Sequence, residues 1–576
     1  MTTTDTEETW PVLEEHPGDE TPELSHFEIL EILSGLLIAL FVANMAGTIT
    51  GTALPRITAA LGANEQQYMW VVTATLLTST ASTPIWGKLA DLYNKKKLLM
   101  VGLVVFIIGS ALSGAATTPL FLIGSRAVQG VGLGSLMALV QAIIGTIIPP
   151  RQRGRYMAYT GATMAIATVI GPLIGGFLVD APWLGWQWCF WSAVPFAVIA
   201  MVILQLKLRV PLLKREGTRV DWLGASLITA AVSALLLWIS FVTKDFEWVS
   251  WQTFALVGFA VVATVLLVVV ESRAHDPIIP LKIISTRTTA LAIAVSMAVG
   301  VGMFGASVFL SQYFQLGRGM SPTISGLMNA PMMAGVLVSS LFVGRMVART
   351  GTWKPYVLAG SVLLTIGFTA LSTITDTTSL WAIGAYMVVA GLGLGMTMQN
   401  LVLAVQNSIS VRDVGAGSAA VTFFRSLGGV IGIQTLGFIF EDRMESLMTS
   451  GGAAVAQQAV MADAANNPAL MAVCGGFQNA TADQLAQISA QCPATSQLLH
   501  DMSLIGSGGT TMDLSQFQFA PFRALIESSI GNSIGHLFLL GAVIWVISIV
   551  GIIFMPSTKL RSHFEPSDAD PTAETE

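Results

Sequence analysis

The segment from Tyr156 to Val179, YMAYTGATMAIATVIGPLIGGFLV, is the starting point for interpreting this chain. It has no charged residue over about 24 positions, a length that crosses the hydrocarbon core of a bilayer as one helix. Near its end lie Gly171, Pro172, Gly175 and Gly176, where proline removes a backbone donor and the glycines remove side chains. Such residues are of no advantage to a helix that only faces lipid, but they let another helix approach closely. The segment therefore predicts a moving contact between helix bundles, as a transporter requires.

The rest of the chain has the same apolar character. Hydrophobic residues make up 53% of the 576 residues and charged residues 11%, and the mean hydropathy is +0.69. Soluble domains contain about 25% charged residues. We therefore predict an all-α polytopic membrane protein with fourteen spans. The spans cover residues 31–53, 68–86, 98–115, 119–147, 157–179, 188–206, 222–243, 252–270, 288–313, 324–343, 355–375, 379–405, 415–440 and 533–555.

The distribution of Lys and Arg predicts the orientation. With a cytoplasmic N-terminus, the connections assigned to the inside contain 21 of the 28 Lys and Arg residues, and those assigned to the outside contain five. Cytoplasmic loops of membrane proteins carry this excess. The remaining two, Arg126 and Arg425, fall within spans. We expect both termini to be cytoplasmic.

An internal repeat divides the spans into two bundles of six. Gly87 and Gly344 open two cytoplasmic connections in which Asn94 or Gly351 follows seven residues later and a lysine ten residues later. The predicted organisation is a disordered acidic cytoplasmic tail (1–27), an N-terminal six-helix bundle (28–206), two inserted helices with cytoplasmic linkers (207–287), the first five helices of a C-terminal bundle (288–440), an extracytoplasmic loop (441–532), a last helix (533–555) and a cytoplasmic tail (556–576).

Two of the three cysteines, Cys474 and Cys492, lie in the loop assigned to the outside. An oxidising exterior permits a disulfide between them, and closing such a loop contributes about 3 kcal/mol. The alternative is two free thiols in a mobile segment rich in Ala, Gln and Asn.

Several short motifs occur in order on these spans, and together they resemble the major facilitator superfamily, specifically its fourteen-span drug/proton antiporter branch. The resemblance covers nearly the whole chain. Asn94 stands where the family's first cytoplasmic motif has a glycine. The matching residues are Thr48 to Pro55 in span one, Gly87, Asp91, Lys95 and Lys96 after span two, Arg126, Gln129 and Gly130 in span four, Gly171, Pro172, Gly175 and Gly176 in span five, and Val421 to Arg425 with Gly428 and Gly429 in span thirteen.

The resemblance implies the major facilitator fold of two six-helix bundles plus two inserted helices. It implies a secondary transporter in a bacterial cytoplasmic membrane that exports amphipathic drugs by proton antiport and alternating access. Its partners are then small amphipathic substrates, protons and membrane lipid, with a monomer expected and no nucleic acid. The alternative is export of an endogenous envelope lipid or metabolite with different or no proton coupling.

Enzyme and cofactor functions find no support in the motifs. The chain has no Gly-x-x-x-x-Gly-Lys-Ser/Thr phosphate loop and no His-Glu-x-x-His metal site. The glycine runs at 130–134 and 391–395 lie in long apolar spans and do not follow a strand, so they favour helix packing over dinucleotide binding. We expect no catalytic site, no cofactor and no metal.

A conformational latch is predicted from Gly87, Asp91, Lys95 and Lys96. A carboxylate at the inner end of a span can accept hydrogen bonds from the backbone N–H groups of a helix start, or pair with cations, and so hold the two bundles together. The resemblance implies the same role for Asp91. The lysines have a second interpretation, which is that they only enforce orientation.

The proton carrier is not evident. The branch usually has an acidic residue nine positions before the proline of its Ala-Leu-Pro, and that position here is Ala46. Arg126 should face the protein interior, where it forms structural pairs, influences the protonation of a neighbouring carboxylate or contacts substrate directly. Arg126, Asp180 and His536 are charge-relay candidates, and the remaining groups with a pKa that burial can move toward neutrality are Asp91 and Glu527.

Substrate contacts are predicted by residue type. A site for bulky amphipathic compounds is apolar and aromatic with a few polar groups. For each polar residue the alternative is interhelical hydrogen bonding. No acidic residue lies in the middle of a span, so strong selectivity for cations is not expected. The candidates are Gln141, Gln312, Gln315, Gln399, Asn400, Phe424 and Arg425.

Overall fold

The computed structural model describes residues 26–181, 183–208, 221–242, 246–274, 277–278, 281–410, 413–466, 470–474, 488, 491–506 and 517–560. These residues form helices and no strand. Residues 1–25 of the predicted acidic tail and residues 561–576 of the C-terminal tail lie outside the described part. All-α architecture is thereby confirmed.

In the described part of the chain, fourteen helices follow the fourteen predicted spans. Thirteen helical stretches are long and apolar enough to cross a membrane, and two of them, Trp188–Lys207 and Thr323–Thr350, each include a short helix ahead of the main one. The remaining helix, Glu65–Leu92, has 28 residues and many threonines and serines in its middle. The helices are α1 (His26–Ala60), α2 (Glu65–Leu92), α3 (Lys95–Gly114), α4 (Pro119–Ile147), α5 (Pro150–Asp180), α6 (Ala193–Lys207), α7 (Trp222–Phe241), α8 (Trp251–Arg273), α9 (Arg287–Gln312), α10 (Ala330–Thr350), α11 (Lys354–Leu371), α12 (Leu380–Ser408), α13 (Val414–Asn466) and α14 (Ala520–Phe554).

Local sequence explains several helix starts. Asn64 and Gln67 form a capping box at the start of α2, with each side chain accepting a hydrogen bond from the other residue's backbone N–H. The side chain of Asn94 accepts from the N–H groups of Lys96 and Lys97 and so caps α3. This gives a physical reason for asparagine at a position where the family motif has glycine.

The two six-helix bundles are called lobes: α1 to α6 form the N-terminal lobe, and α9 to α14 form the C-terminal lobe. Glycines bring the helices within each lobe close together. A Cβ at Gly132 would lie 2.5 Å from the backbone nitrogen of Phe106 on α3. A Cβ at Gly391 on α12 would lie 2.0 Å from the carbonyl oxygen of Met332 on α10. Both glycine runs thus serve helix packing, and no side chain fits at these two positions.

The inserted helices α7 and α8 lie beside α2 and α13. Ile228, Val232 and Leu236 of α7 belong to one apolar cluster with Ala81 of α2 and Phe423 of α13. Because α2 belongs to the N-terminal six helices and α13 to the C-terminal six, α7 packs against both lobes.

The described part of the connection between α13 and α14 is largely helical. Helix α13 has 53 residues and continues past the predicted end of its span at 440, as far as Asn466. Helix α14 begins at Ala520, ahead of the predicted 533. The extension 441–466 contains several alanines and no proline, which favours continuation of the helix.

A carboxylate and a disulfide cross-link the segment between α13 and α14. Cys474 and Cys492 form a disulfide. Asp463 of α13 accepts hydrogen bonds from the N–H groups of Ala494 and Thr495, at the start of the helix Pro493–Gly506. The segment therefore has its own cross-links in addition to a buried apolar core.

Residues 556–560, which follow α14, fold back on the C-terminal lobe. The Leu560 N–H donates to the carbonyl oxygen of Gly351 at 2.9 Å, and Leu560 is buried. The Lys354 ammonium donates to the carbonyl oxygens of Ile553 and Met555. These contacts fix the end of α14 against the connection between α10 and α11.

Candidate functional site

Asp91 joins the two lobes at the end of α2. Its carboxylate oxygens accept hydrogen bonds from the backbone N–H groups of Gly415 at 2.8 Å and Ala416 at 2.7 Å. These N–H groups belong to the first turn of α13, where the helix itself supplies no acceptor and its dipole favours a negative charge. One side chain therefore bridges residues that are 324 positions apart in the chain.

Close backbone contact makes this bridge possible. A Cβ at Gly87 would lie 2.2 Å from the Cβ of Ala419 and 2.9 Å from the carbonyl oxygen of Gly415. A Cβ at Gly415 would lie 2.4 Å from the Oδ1 atom of Asp91. Neither glycine leaves room for a side chain, so α2 and α13 approach each other at backbone distance.

The connection that starts at Gly344 is the second copy of the repeat. It makes a close backbone contact like that of Gly87, but it has no carboxylate equivalent to Asp91. Gly344 at the end of α10 packs against α5, where a Cβ would lie 2.4 Å from the carbonyl oxygen of Gly154. The residue four positions after Gly344 is Ala348, whereas Asp91 follows Gly87 by four. The two lobes therefore meet at two related seams, α2 with α13 and α5 with α10, and only the first has the carboxylate bridge among the described residues.

The two lysines of the predicted latch have different surroundings. Lys96 donates from its ammonium to the carbonyl oxygen of Gln205 on α6, at 2.7 Å, so it braces the N-terminal lobe. Lys95 is buried. It lies near enough to Asp91 for charge interaction, but no ion pair joins them in the described residues.

Glutamines meet where α4 and α12 cross between the lobes. The amide of Gln141 donates to Oε1 of Gln399 at 3.4 Å. Gln406 donates to the carbonyl oxygen of Gln141 and to the hydroxyl of Ser418 on α13. Gln141, Gln399 and Gln406 each retain one buried amide atom that has no partner in the described part of the chain. These three residues, the glutamine cluster, join the two lobes and leave one donor and two acceptors without a partner among the described residues.

Arg126 is buried in the N-terminal lobe among neutral groups. Its guanidinium donates to Oε1 of Gln129 and, at 3.5 Å, to the hydroxyl of Thr50 and the carbonyl oxygen of Val71. It also lies 5.8 Å from the ring centroid of Phe190. No ion pair to it is found among the described residues.

Arg425 is also buried, with 6% of its surface exposed. Its guanidinium has no hydrogen bond or ion pair to any residue that the structure describes. Arg425 lies seven residues after Ser418, and residues two turns apart share one face of a helix. By this spacing Arg425 lies on the same side of α13 as Ser418, which contacts the glutamine cluster. The carbonyl oxygen of Arg425 packs against α9, where a Cβ at Gly300 would lie 1.9 Å from it.

The other predicted contact residues are dispersed. Gln315 donates to the hydroxyl of Ser325, and Asn400 donates to the carbonyl oxygen of Met396 on its own helix. Gln312 has a buried oxygen without a partner in the described residues. Phe424 packs against the cluster formed by α2, α7, α8 and α13. Only Gln141 and Gln399 of the predicted set are joined by a hydrogen bond within the described chain.

The glycine-proline motif of α5 lies between the lobes. A Cβ at Gly171 would lie 1.8 Å from Oγ1 of Thr48 on α1. On the C-terminal side, Gly176 faces Thr323 and Pro172 faces Gly326, both in the short helix Pro322–Met328. Gly175 is buried. The motif thus contacts both lobes.

The remaining proton-carrier candidates lie away from these contacts. His536 is exposed on α14 and makes no hydrogen bond to a described residue. Glu527 pairs with Arg523 at 2.9 Å near the start of α14. Asp180 is the last residue of α5, and its side chain lies outside the described part. The positions of His536 and Glu527 argue against a role in the interior.

Several residues of these contacts carry no clear signal in the sequence. Gly415 and Ala416 give none, because they serve through backbone N–H groups. Gln406 lies one position beyond the predicted end of span twelve. Arg153 is one of three arginines in a predicted cytoplasmic connection, which indicates only an inside charge. In the fold it is buried, and its guanidinium donates to the carbonyl oxygens of Ile148 and Gly145.

Comparison with known proteins identifies the family of the chain. Residues 36–433 match the model of the Major Facilitator Superfamily. The chain is 36% identical over 421 residues to the multidrug transporter protein MdtP of Bacillus subtilis, covering 73% of this chain and 76% of that protein. It is 29% identical over 435 residues to multidrug resistance protein 3 of the same organism, covering 74% and 84%.

A solved structure shares the fold. The proton:xylose symporter XylE superimposes with a TM-score of 0.59 at 12% identity, covering 93% of this chain and 97% of that one. The chain belongs to the Major Facilitator Superfamily and is a multi-pass membrane protein. The predicted family and fold class are confirmed.

Proposed function

We propose that this protein is a secondary active exporter of amphipathic toxic compounds, with the substrate bound between two six-helix lobes that rock in alternating access. The observation that carries the proposal is the bridge from Asp91 to the first turn of α13. It crosses between lobes, it uses hydrogen bonds that water can replace, and it lies at one end of the seam. Such a contact suits a closure that forms and breaks in each cycle.

Gly87, Asp91, Lys95 and Lys96 act together as the conformational latch. Asp91 makes the inter-lobe bonds, Gly87 allows the close approach, and Lys95 and Lys96 orient the connection. Gly171, Pro172, Gly175 and Gly176 form the second moving contact, because Gly171 faces α1 and both Pro172 and Gly176 face the C-terminal lobe. Export as the direction is supported by two relatives whose names describe multidrug transport or resistance.

The membrane is the bacterial cytoplasmic membrane, both termini are cytoplasmic, and the protein acts as a monomer. The excess of Lys and Arg in alternate connections supports this orientation. Under it, the Asp91 bridge closes the cytoplasmic side, and the segment with the Cys474–Cys492 disulfide faces the oxidising exterior.

Proton antiport is the proposed coupling, and a second candidate is export of an endogenous envelope lipid or metabolite with different or no proton coupling. The second is favoured by one observation: the position where the branch carries an acidic residue is the buried Ala46. Everted membrane vesicles energised by respiration distinguish the two. Drug accumulation that stops on adding an uncoupler supports proton antiport, and unchanged accumulation supports a different or no proton coupling. Absence of accumulation in vesicles with normal amounts of protein would contradict drug export.

A further inference from the structure

The charged residues in the interior of the predicted spans are all positive. Among the fourteen predicted spans, the sequence contains only three charged residues: Glu31, Arg126 and Arg425. Glu31 is the first residue of the first span and pairs with Lys207 at 2.9 Å, in a partly exposed position. The interior of the predicted spans therefore carries two positive charges and no negative charge.

Neither arginine obtains a counter-ion from the described part of the protein. Arg126 has 4% of its surface exposed and, among described residues, contacts neutral acceptors and an aromatic ring. Arg425 has 6% exposed and has no hydrogen-bonding partner among the described residues. A buried charge without a partner is costly, and intramembrane charges are found where they meet water, substrate or each other.

The position of Arg425 on α13 indicates what kind of group its charge binds. It lies about 10 Å along α13 from Ser418, which corresponds to two helical turns, and on the same face. Ser418 contacts the glutamine cluster, whose three unpartnered amide atoms lie between the lobes. A guanidinium two helical turns from a set of uncharged donors and acceptors, on the same helix face, matches an amphiphile that has one anionic group and further polar atoms.

We propose that the site between the lobes selects amphiphiles that carry a single anionic group, a carboxylate, sulfonate or phosphate, and that Arg425 is the residue that binds this group. The second buried charge, that of Arg126, raises the positive potential of the N-terminal lobe and so also favours an anion. The inferred selectivity names the substrate class for the proposed export function and rests on it.

Equilibrium binding to the full-length protein in lipid nanodiscs tests this selectivity. The probes are two anionic amphiphiles, taurocholate and lysophosphatidylglycerol, and one cation, tetraphenylphosphonium. The two anions distinguish a soluble sulfonate from a lipid phosphate as the source of the charge. We expect saturable binding of at least one anion, at least tenfold tighter than that of tetraphenylphosphonium.

Variants assign the selectivity to named residues. Arg425→Gln should weaken binding of the preferred anion by tenfold or more, because a buried charge loses its partner, whereas Arg425→Lys keeps the charge and should stay within about threefold of the natural protein. Arg443→Gln is the matched control, because Arg443 is exposed on the extension of α13 beyond residue 440. Thermal unfolding of each variant shows whether it is folded.

A further variant, Ala46→Asp, introduces an acidic residue at the position where the drug/proton antiporter branch usually has one. Thr50 donates to the carbonyl oxygen of Ala46 and accepts from Arg126, so a carboxylate at position 46 would lie one turn from the residue that contacts this arginine. Because this carboxylate would offset the positive potential of the lobe, Ala46→Asp should weaken anion binding and raise the affinity for tetraphenylphosphonium about fivefold or more.

Three results would overturn the proposal: no saturable binding of either anion, equal or tighter binding of tetraphenylphosphonium by the natural protein, or unchanged anion affinity in folded Arg425→Gln. Binding at equilibrium does not depend on the direction of transport. Anion-selective binding without accumulation in everted vesicles would therefore contradict the export function alone, and accumulation of drugs without anion preference would contradict this inference alone.

Discussion

The bridge between Asp91 and α13 permits a quantitative prediction. Asp91 accepts two charge-assisted hydrogen bonds from backbone N–H groups, and each such bond contributes about 1.5–3 kcal/mol. Asp91→Asn keeps one acceptor oxygen, so about one bond is lost, or roughly 2 kcal/mol. Since about 1.4 kcal/mol corresponds to a factor of ten, the closed arrangement of this seam should become about 30-fold less favourable relative to the open one.

Two measurements check this magnitude. Distances between spin labels at the exposed residues Tyr93 and Arg349, on the predicted inner ends of the two lobes, report the populations of the closed and open arrangements. The initial rate of drug accumulation in everted vesicles reports the transport cycle, and it should fall at least tenfold while expression is unchanged.

Asp413→Asn is the matched control for this variant. It removes the same charge beside the start of the same helix, but Asp413 accepts a hydrogen bond from Ser410 in its own loop. It should change neither measurement by more than about twofold. Normal populations and normal transport in Asp91→Asn would refute the latch.

Other predictions concern the close backbone contacts and the segment between α13 and α14, which is predicted to be external. Gly415→Ala should impair transport as strongly as Asp91→Asn, because the new Cβ would lie 2.4 Å from the Asp91 carboxylate. Gly437→Ala on the same helix, which meets nothing within 4 Å, should transport normally, and equal activity of the two variants would contradict the contact. Gly171→Val should reduce transport at least tenfold, since its Cβ would lie 1.8 Å from a threonine oxygen on α1; vesicle transport at the natural rate would remove this motif from the mechanism. Replacing Cys474 and Cys492 together by serine should destabilise the external segment by about 2–4 kcal/mol, seen as faster proteolysis of intact cells from outside. Cleavage of this segment only from the cytosolic side would contradict the predicted orientation.

Much of the fold was predictable because it depends on local composition. A run of apolar residues long enough to cross a bilayer is visible in the sequence, and so is the excess of Lys and Arg in alternate connections. The fourteen long helices accordingly follow the predicted spans. Boundaries were harder to predict: α13 continues to Asn466 and α14 starts at Ala520, because alanine-rich polar sequence also forms helix and its ends are set by packing outside the spans.

The sites were predictable only where one residue carries the chemistry. Asp91 is identifiable from the sequence because a carboxylate beside a span requires partners. Its partners Gly415 and Ala416 did not, because nearly every residue has a backbone N–H, and they lie 324 and 325 positions away. Similarly, the glutamines were candidates by type, but only the crossing of α4 and α12 brought Gln141 to Gln399.

The length of an apolar segment, the excess of Lys and Arg in a connection and a short motif are each properties of one continuous stretch of chain. They were therefore enough to indicate a chain of membrane-spanning helices in two related bundles, to predict its orientation, and to pick out the helix with the glycine-proline contact. The closure of α2 on α13, the neutral partners of Arg126 and the lack of a partner for Arg425 among the described residues became visible only in the folded chain. The reason is physical: a hydrogen bond or an unpaired charge depends on which helices meet, and no single segment of sequence specifies its distant neighbour.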